Sequence, residues 1–149
     1  MNAGARAATG DVLVFLHADT RLPEKFTIQG HVWGRFDVRI AGSHPLLKVV
    51  AWSMNLRSRL TGIATGDQAI FVRRDAFPGF PELPLMEDVA FSKQMKRRAW
   101  PACLRAKAVT SGRRWESRGV LRTIVQMWHL RLRYFLGTPA EDLARRYER

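Results

Sequence analysis

Two acidic sites stand out in a strongly basic chain. Glu87 and Asp88 are adjacent, after Leu85-Met86, and His17-Ala18-Asp19-Thr20 closes an apolar run upstream. The 149 residues carry a formal charge of +12. Neighbouring carboxylates repel each other, a cost tolerated where a cation or a proton-transfer task uses them. Asp19 has the chemistry to hold Mg²⁺ or Mn²⁺ against a diphosphate, because hard cations prefer carboxylate oxygen and keep positions open for phosphate. The alternative is an Asx-type turn at Asp19 and Thr20 leading into Pro23. His17, at the same edge, has an imidazole that can hydrogen-bond a diphosphate or ribose or ligate the ion.

Each site needs an element to position it. Asp11 to Leu16 is short, apolar and β-branched, with Gly10 before it. It reads as a buried strand covered on both faces, which puts His17 and Asp19 at the C-terminal edge where open α/β sheets bind ligands. Glu87 and Asp88 fall in the first turn of a helix expected from Pro84 to about Arg98, where the macrodipole favours negative charge. Capping accounts for one carboxylate, and the second is read as aimed into a cleft.

Elsewhere the pattern predicts a short helix from Glu24 to Gln29. A half-exposed strand from His31 to Ile40 follows, with Phe36, Val38 and Ile40 inward and Asp37 and Arg39 outward. A helix over Pro45 to Leu60 and strands over Ala69 to Arg73 and Pro101 to Val109 complete the domain. From Arg118 to Leu136 the apolar Leu121, Ile124, Val125, Trp128, Leu132, Phe135 and Leu136 recur at spacings of three and four, with Arg118, Arg122, His129 and Arg133 opposite. Packing of this basic amphipathic helix on the domain is the favoured reading, and an anionic membrane surface is the alternative.

Composition bounds the function classes. The length suits one domain with a real core, and Cys103 alone excludes an internal disulfide framework. No signal peptide or long uncharged apolar run is visible, so a cytoplasmic protein, peripheral to the inner membrane if that helix docks there, is expected. Twenty of the 25 basic residues are arginine, which points to phosphate or lipid headgroups, or to a GC-rich genome. No nucleic-acid partner is expected, because no helix-turn-helix, zinc-finger spacing or stacking motif is present. His31, His44 and His129 share no ligand spacing, so a zinc site is not expected.

Taken together, the motifs resemble the family 2 glycosyltransferases with the GT-A type nucleotide-sugar fold, over nearly the whole chain. Phe15 to Pro23 resembles the strand that ends in the family's Asp-x-Asp metal motif, with His17 in place of the first Asp. Thr65 to Arg74 resembles the turn and strand beside the acceptor site. Pro84 to Asp88 resembles the Glu-Asp motif, and Ser111 to Trp115 the later Arg-Trp element that closes over the diphosphate. The wording is similar to a bacterial branch associated with radical-SAM and arsenosugar gene clusters.

The resemblance implies an α/β, GT-A-like mixed sheet flanked by helices, with a partial transferase domain over 1–115 and a helical extension over 116–149. It implies inverting transfer from a nucleotide-diphosphate sugar to an acceptor hydroxyl, the acceptor being lipid-linked if the membrane reading holds. Asp88 is then the base, Glu87 an orienting group and Asp19 the metal ligand. Arg113 and Arg114 stabilise the diphosphate, Trp115 stacks, and Asp67 with Gln68 contacts sugar or acceptor hydroxyls. The family begins with a nucleotide-base-binding unit of roughly seventy residues, at about 30 per βαβ unit, whereas Met1 to Arg6 resembles the middle of the helix before the metal strand. N-terminal truncation is therefore expected, and with it an uncovered edge and self-association. A non-catalytic fragment or scaffold, and a basic module binding membrane or nucleic acid, remain as alternatives.

Overall fold

The computed structural model describes residues 1–147. Helix α1 (Asn2–Ala7) leads into strands β1 (Val12–Phe15), β2 (Thr20–Arg21) and β3 (Trp33–Ala41), then helix α2 (Leu46–Thr61) and strand β4 (Ile70–Arg73). Helix α3 (Glu87–Lys96) and strand β5 (Ala102–Ser111) follow, then helices α4 (Arg113–Arg118), α5 (Val120–Phe135) and α6 (Ala140–Tyr147). One-turn 3-10 helices at Gly66–Gln68 and Arg74–Ala76 frame β4. The fold is mixed α/β, and the 115/116 boundary expected from the sequence falls inside α4.

The strands form one sheet in the order β1-β4-β3-β5-β2. β4 is antiparallel to both β1 and β3, and β3 is parallel to β5, so β1, β3 and β5 all run the same way. The two outermost strands, β1 and β2, are consecutive in the chain. From Phe15 to Thr20 an extended chain reaches at most ~18 Å, while four strand spacings of a flat sheet span ~19 Å. The sheet therefore curls, and Leu16 to Asp19 bridge its two edges.

Packing explains the strands. On β3, Phe36 packs with Ala69, Phe71 and Ala108, while Val38 and Ile40 pack with Leu47, Val50, Ala51 and Met54 of α2. Gly34 has no room for a side chain, since a Cβ there would lie 2.3 Å from the Ala102 carbonyl oxygen. Helix α2 ends where Gly62 takes φ 67°, a left-handed value that glycine adopts without strain, and its N–H donates to the Ser58 carbonyl at 2.9 Å.

Several expectations are corrected. β1 is an edge strand in which only Leu13 is buried and Val12, Val14 and Phe15 are half-buried, instead of a strand covered on both faces. Glu24 to Gln29 form no helix. Phe26 packs edge-on against Phe36 at 5.0 Å between ring centres, and Leu22 and Ile28 pack on the same cluster, which holds this stretch as an ordered loop. Asp37 does not face solvent. It bonds to the fully buried Arg35, and Arg59 Nη2 donates to its Oδ2 at 2.8 Å. Burial pushes the Asp37 carboxyl up, but these two guanidiniums outweigh it and hold it below its ordinary value.

The favoured docking of α5 through its apolar stripe is also overturned. The helix packs through Val120, Thr123 and Leu130, while Leu121, Val125, Trp128, Leu132, Phe135 and Leu136 are exposed. The arginines flank that stripe instead of opposing it.

Candidate active site

The segment after β1 is a tight turn. The Thr20 N–H donates to the His17 carbonyl at 3.0 Å, and the Ser111 N–H at the end of β5 donates to the Asp19 carbonyl at 3.2 Å. The Thr20 hydroxyl bonds to that of Thr110 at 3.0 Å, locking the turn to β5. These are backbone and threonine bonds, so the alternative reading, an Asx-type turn at Asp19 and Thr20, is not what shapes the segment. The Asp19 carboxylate is left exposed, with no hydrogen-bond partner among the described residues.

The second acidic site is tied to the first through Gly66. Its N–H donates to Asp88 Oδ2 at 3.0 Å, and the Val89 N–H donates to Asp88 Oδ1 at 2.7 Å. Burial pushes the Asp88 carboxyl up to about 6. The two N–H donors oppose that shift, and the negative charges of Glu87 and Asp67 add to it. A carboxylate tuned this close to neutrality suits a general base. Gly66 is equally constrained on its other side, because a Cβ there would lie 2.3 Å from His17 Nε2.

His17 completes the cluster. Its Nδ1 lies 3.4 Å from Asp67 Oδ1. The bond to Asp67 raises its pKa above the ordinary histidine value; burial lowers it, and the negative charges of Asp67, Asp19 and Asp88 raise it further. One imidazole therefore feels carboxylates from three segments. An imidazole pushed toward its cationic form is a better partner for a diphosphate oxygen than a ligand for a metal ion.

Backbone strain marks both flanks of this cluster. Among the described residues, the non-glycine residues with positive φ are Ala69, at 49°, and Met86, at 65°. One follows Gln68 and the other precedes Glu87. Left-handed backbone costs roughly 1–2 kcal/mol per residue and is stored where function requires the geometry.

The remaining expected site residues divide. Arg113 is exposed just beyond β5, two positions after the Ser111 that bonds the Asp19 segment. Arg114 instead lies over the Tyr147 ring, 5.1 Å from its centre. Trp115 is half-buried beside Val38, Ile40, Leu47 and Val120. Gln68 is fully buried: its Oε1 accepts from the Thr65 N–H at 3.2 Å and its Nε2 donates to Asn55 Oδ1 at 3.3 Å. The expected contact of Gln68 with a substrate hydroxyl is therefore corrected, since its amide is spent on the turn and on α2.

Gly66 and Arg57 are functional candidates that the sequence did not single out. Arg57 Nε and Nη2 are buried without a hydrogen-bond partner, and burial lowers its pKa while the charge of Asp88 raises it. It lines a cavity of about 260 Å³ with Ile63, Met86, Val89, Arg131, Tyr134 and Phe135. An arginine inside an amphipathic helix gives no sequence signal of this kind. For Gly66 the signal existed, as the one residue without a side chain between Thr65 and Asp67.

Among the described residues, no group of three or more His, Cys, Asp or Glu is arranged to hold a metal ion. A single exposed carboxylate such as Asp19 still fits a magnesium-type ion, whose other positions are filled by phosphate oxygens and water. No family model, curated protein or solved structure matches the chain.

Proposed function

We propose that this protein is a GT-A-type, family 2 glycosyltransferase that moves a sugar, with inversion, from a nucleotide-diphosphate donor to an acceptor hydroxyl. The observation that carries the reading is the convergence on Gly66. This glycine holds the Asp88 carboxylate on one side and abuts the His17–Asp67 pair on the other.

In the reaction, the acceptor oxygen attacks the anomeric carbon and the bond from that carbon to the diphosphate oxygen breaks. The electron pair leaves with the nucleoside diphosphate, and the acceptor proton passes to Asp88. General-base help of this kind contributes typically ~10²–10⁴ in rate. Asp19 would hold Mg²⁺ or Mn²⁺, which offsets negative charge on the diphosphate. His17 and Arg113 hydrogen-bond its oxygens, and Asp67 orients His17. Glu87 orients the acceptor and keeps the Asp88 carboxyl raised. The cavity lined by Arg57, Met86 and Val89, the last two flanking Glu87 and Asp88 in the chain, is assigned to the acceptor. The work is placed in the cytoplasm, where nucleotide sugars serve as donors.

Calorimetric titration with nucleoside diphosphates, with and without Mn²⁺, tests the reading. Binding that strengthens with Mn²⁺ and is lost in Asp19→Asn supports it. Absence of any nucleoside-diphosphate binding by the folded protein overturns it.

A further inference from the structure

Helix α5 presents an apolar stripe that is largely exposed; at its C-terminal end Lys93 Nζ lies over the Phe135 ring, 4.8 Å from its centre. At 100° per residue, Leu121, Val125, Trp128, Leu132, Phe135 and Leu136 fall within an arc of about 100°. That arc lies opposite the packing residues Thr123 and Leu130. Trp128 is 74% exposed and Leu136 is 76% exposed. Helix α2 repeats the arrangement: Val49, Trp52, Leu56 and Leu60 lie opposite its buried Leu47, Ala51, Met54 and Ser58. Single exposed leucines are ordinary, but two apolar stripes on helices that touch each other through Val120 and Ile124 mark an interaction surface.

Charge identifies the occupant. Neither helix contains an aspartate or glutamate; α2 adds Lys48 and α5 carries Arg122, Arg131 and Arg133, while Nε and Nη2 of Arg57 are buried and Arg59 is paired with Asp37. On α5, Arg122 and Arg133 border one side of the stripe and Arg131 the other. Where α5 meets α6, Arg133, Arg145 and Arg146 line a surface hollow of about 580 Å³ with Thr138 and Asp142. A second copy would bring like charges together around the stripe, whereas anionic headgroups complement them. Trp52 and Trp128, exposed on the two stripes, suit the boundary between headgroups and acyl chains. Among the described residues no helix is long and apolar enough to cross a membrane, so α5 would lie on the surface.

We propose that the α5 stripe, with the α2 stripe beside it, docks this protein onto an anionic lipid surface, phosphate headgroups entering the arginine-lined hollow. The inference goes beyond glycosyl transfer and is tested without it.

Sedimentation with vesicles of phosphatidylcholine, and with vesicles in which about one lipid in three is phosphatidylglycerol, decides the matter. The wild-type chain binds the anionic vesicles at least tenfold more tightly, and raised salt weakens the binding. Trp128→Ser with Leu132→Ser abolishes binding to both. Both sites are exposed, and an unchanged thermal melt shows the variant folded. Arg133→Gln, Arg145→Gln and Arg146→Gln together remove most of the anionic preference, about fivefold per arginine. Equal binding to both vesicle types, or none to either, overturns the proposal. So does a concentration-dependent dimer that the serine substitutions dissolve, since the stripe then belongs to a second copy.

Discussion

The Gly66 N–H meets Asp88 Oδ2 at 3.0 Å, while the space above the Gly66 Cα is filled by the His17 ring. A single residue without a side chain thus sets the distance between the end of β1 and the start of α3.

Gly66→Ala should separate stability from function. The atom in the way is the tip of a side chain that is 46% exposed, so His17 can swing outward. Stability should change by no more than ~1 kcal/mol, while transfer falls about 10²-fold as the cluster is misplaced. A thermal melt beside a rate assay checks both, and full activity in the alanine variant contradicts the role given to this contact.

The buried pair of β3 makes a different prediction. Arg35 is fully buried, donating through Nε to Ser58 Oγ at 3.0 Å as well as to Asp37. Asp37→Ala strands that charge and should cost about 3–5 kcal/mol. Replacing both residues with apolar ones of similar volume should recover most of the loss. Denaturant unfolding measures this, and a loss under about 1 kcal/mol would show that Asp37 is not what satisfies Arg35.

Asp88 ties activity and stability to pH in opposite directions. As a base with a carboxyl near 6, it should lose rate about tenfold per unit as pH falls below that value. For stability, the folded-state pKa is raised above the ordinary 3.8. The folded chain therefore holds a proton that the unfolded chain releases, and stability declines as pH rises from about 4 to about 6. Asp88→Asn should flatten that decline and gain at most about 3 kcal/mol at neutral pH. The gain is reduced because an amide accepts from only one of the Gly66 and Val89 N–H groups. Unfolding measured at pH 4 and pH 7 reads the difference, and parallel losses in both proteins would remove burial as the cause.

How much of this was legible beforehand follows from what the pattern encodes. The strand around Val38 announced itself through a period of two, helix α5 through spacings of three and four, and the strand around Leu13 through a continuous apolar run, all of which report local geometry. Asp37 was misread because alternation cannot tell solvent from a buried guanidinium two residues away. Glu24 to Gln29 looked helical, but a six-residue helix nucleates poorly and Phe26 gains more by packing on Phe36. Helix α6 carries start signals in its sequence, Pro139 followed by Glu141 and Asp142. The β1–β4 pairing, with Phe15 opposite Ile70, brings His17 beside Gly66 and depends on strand order, while Gln68 is taken up by Asn55, 13 positions away on α2.

The most direct test of the central claim is the split between Asp88→Asn and Asp19→Asn. Each variant is titrated with a nucleoside diphosphate, with and without Mn²⁺, and assayed in parallel for sugar transfer. Asp88→Asn should abolish transfer and leave Mn²⁺-dependent binding nearly intact, because it removes the proton acceptor and leaves the groups assigned to the diphosphate and the ion unchanged. Asp19→Asn should weaken that binding. An Asp88→Asn protein that transfers at the parent rate would contradict the account.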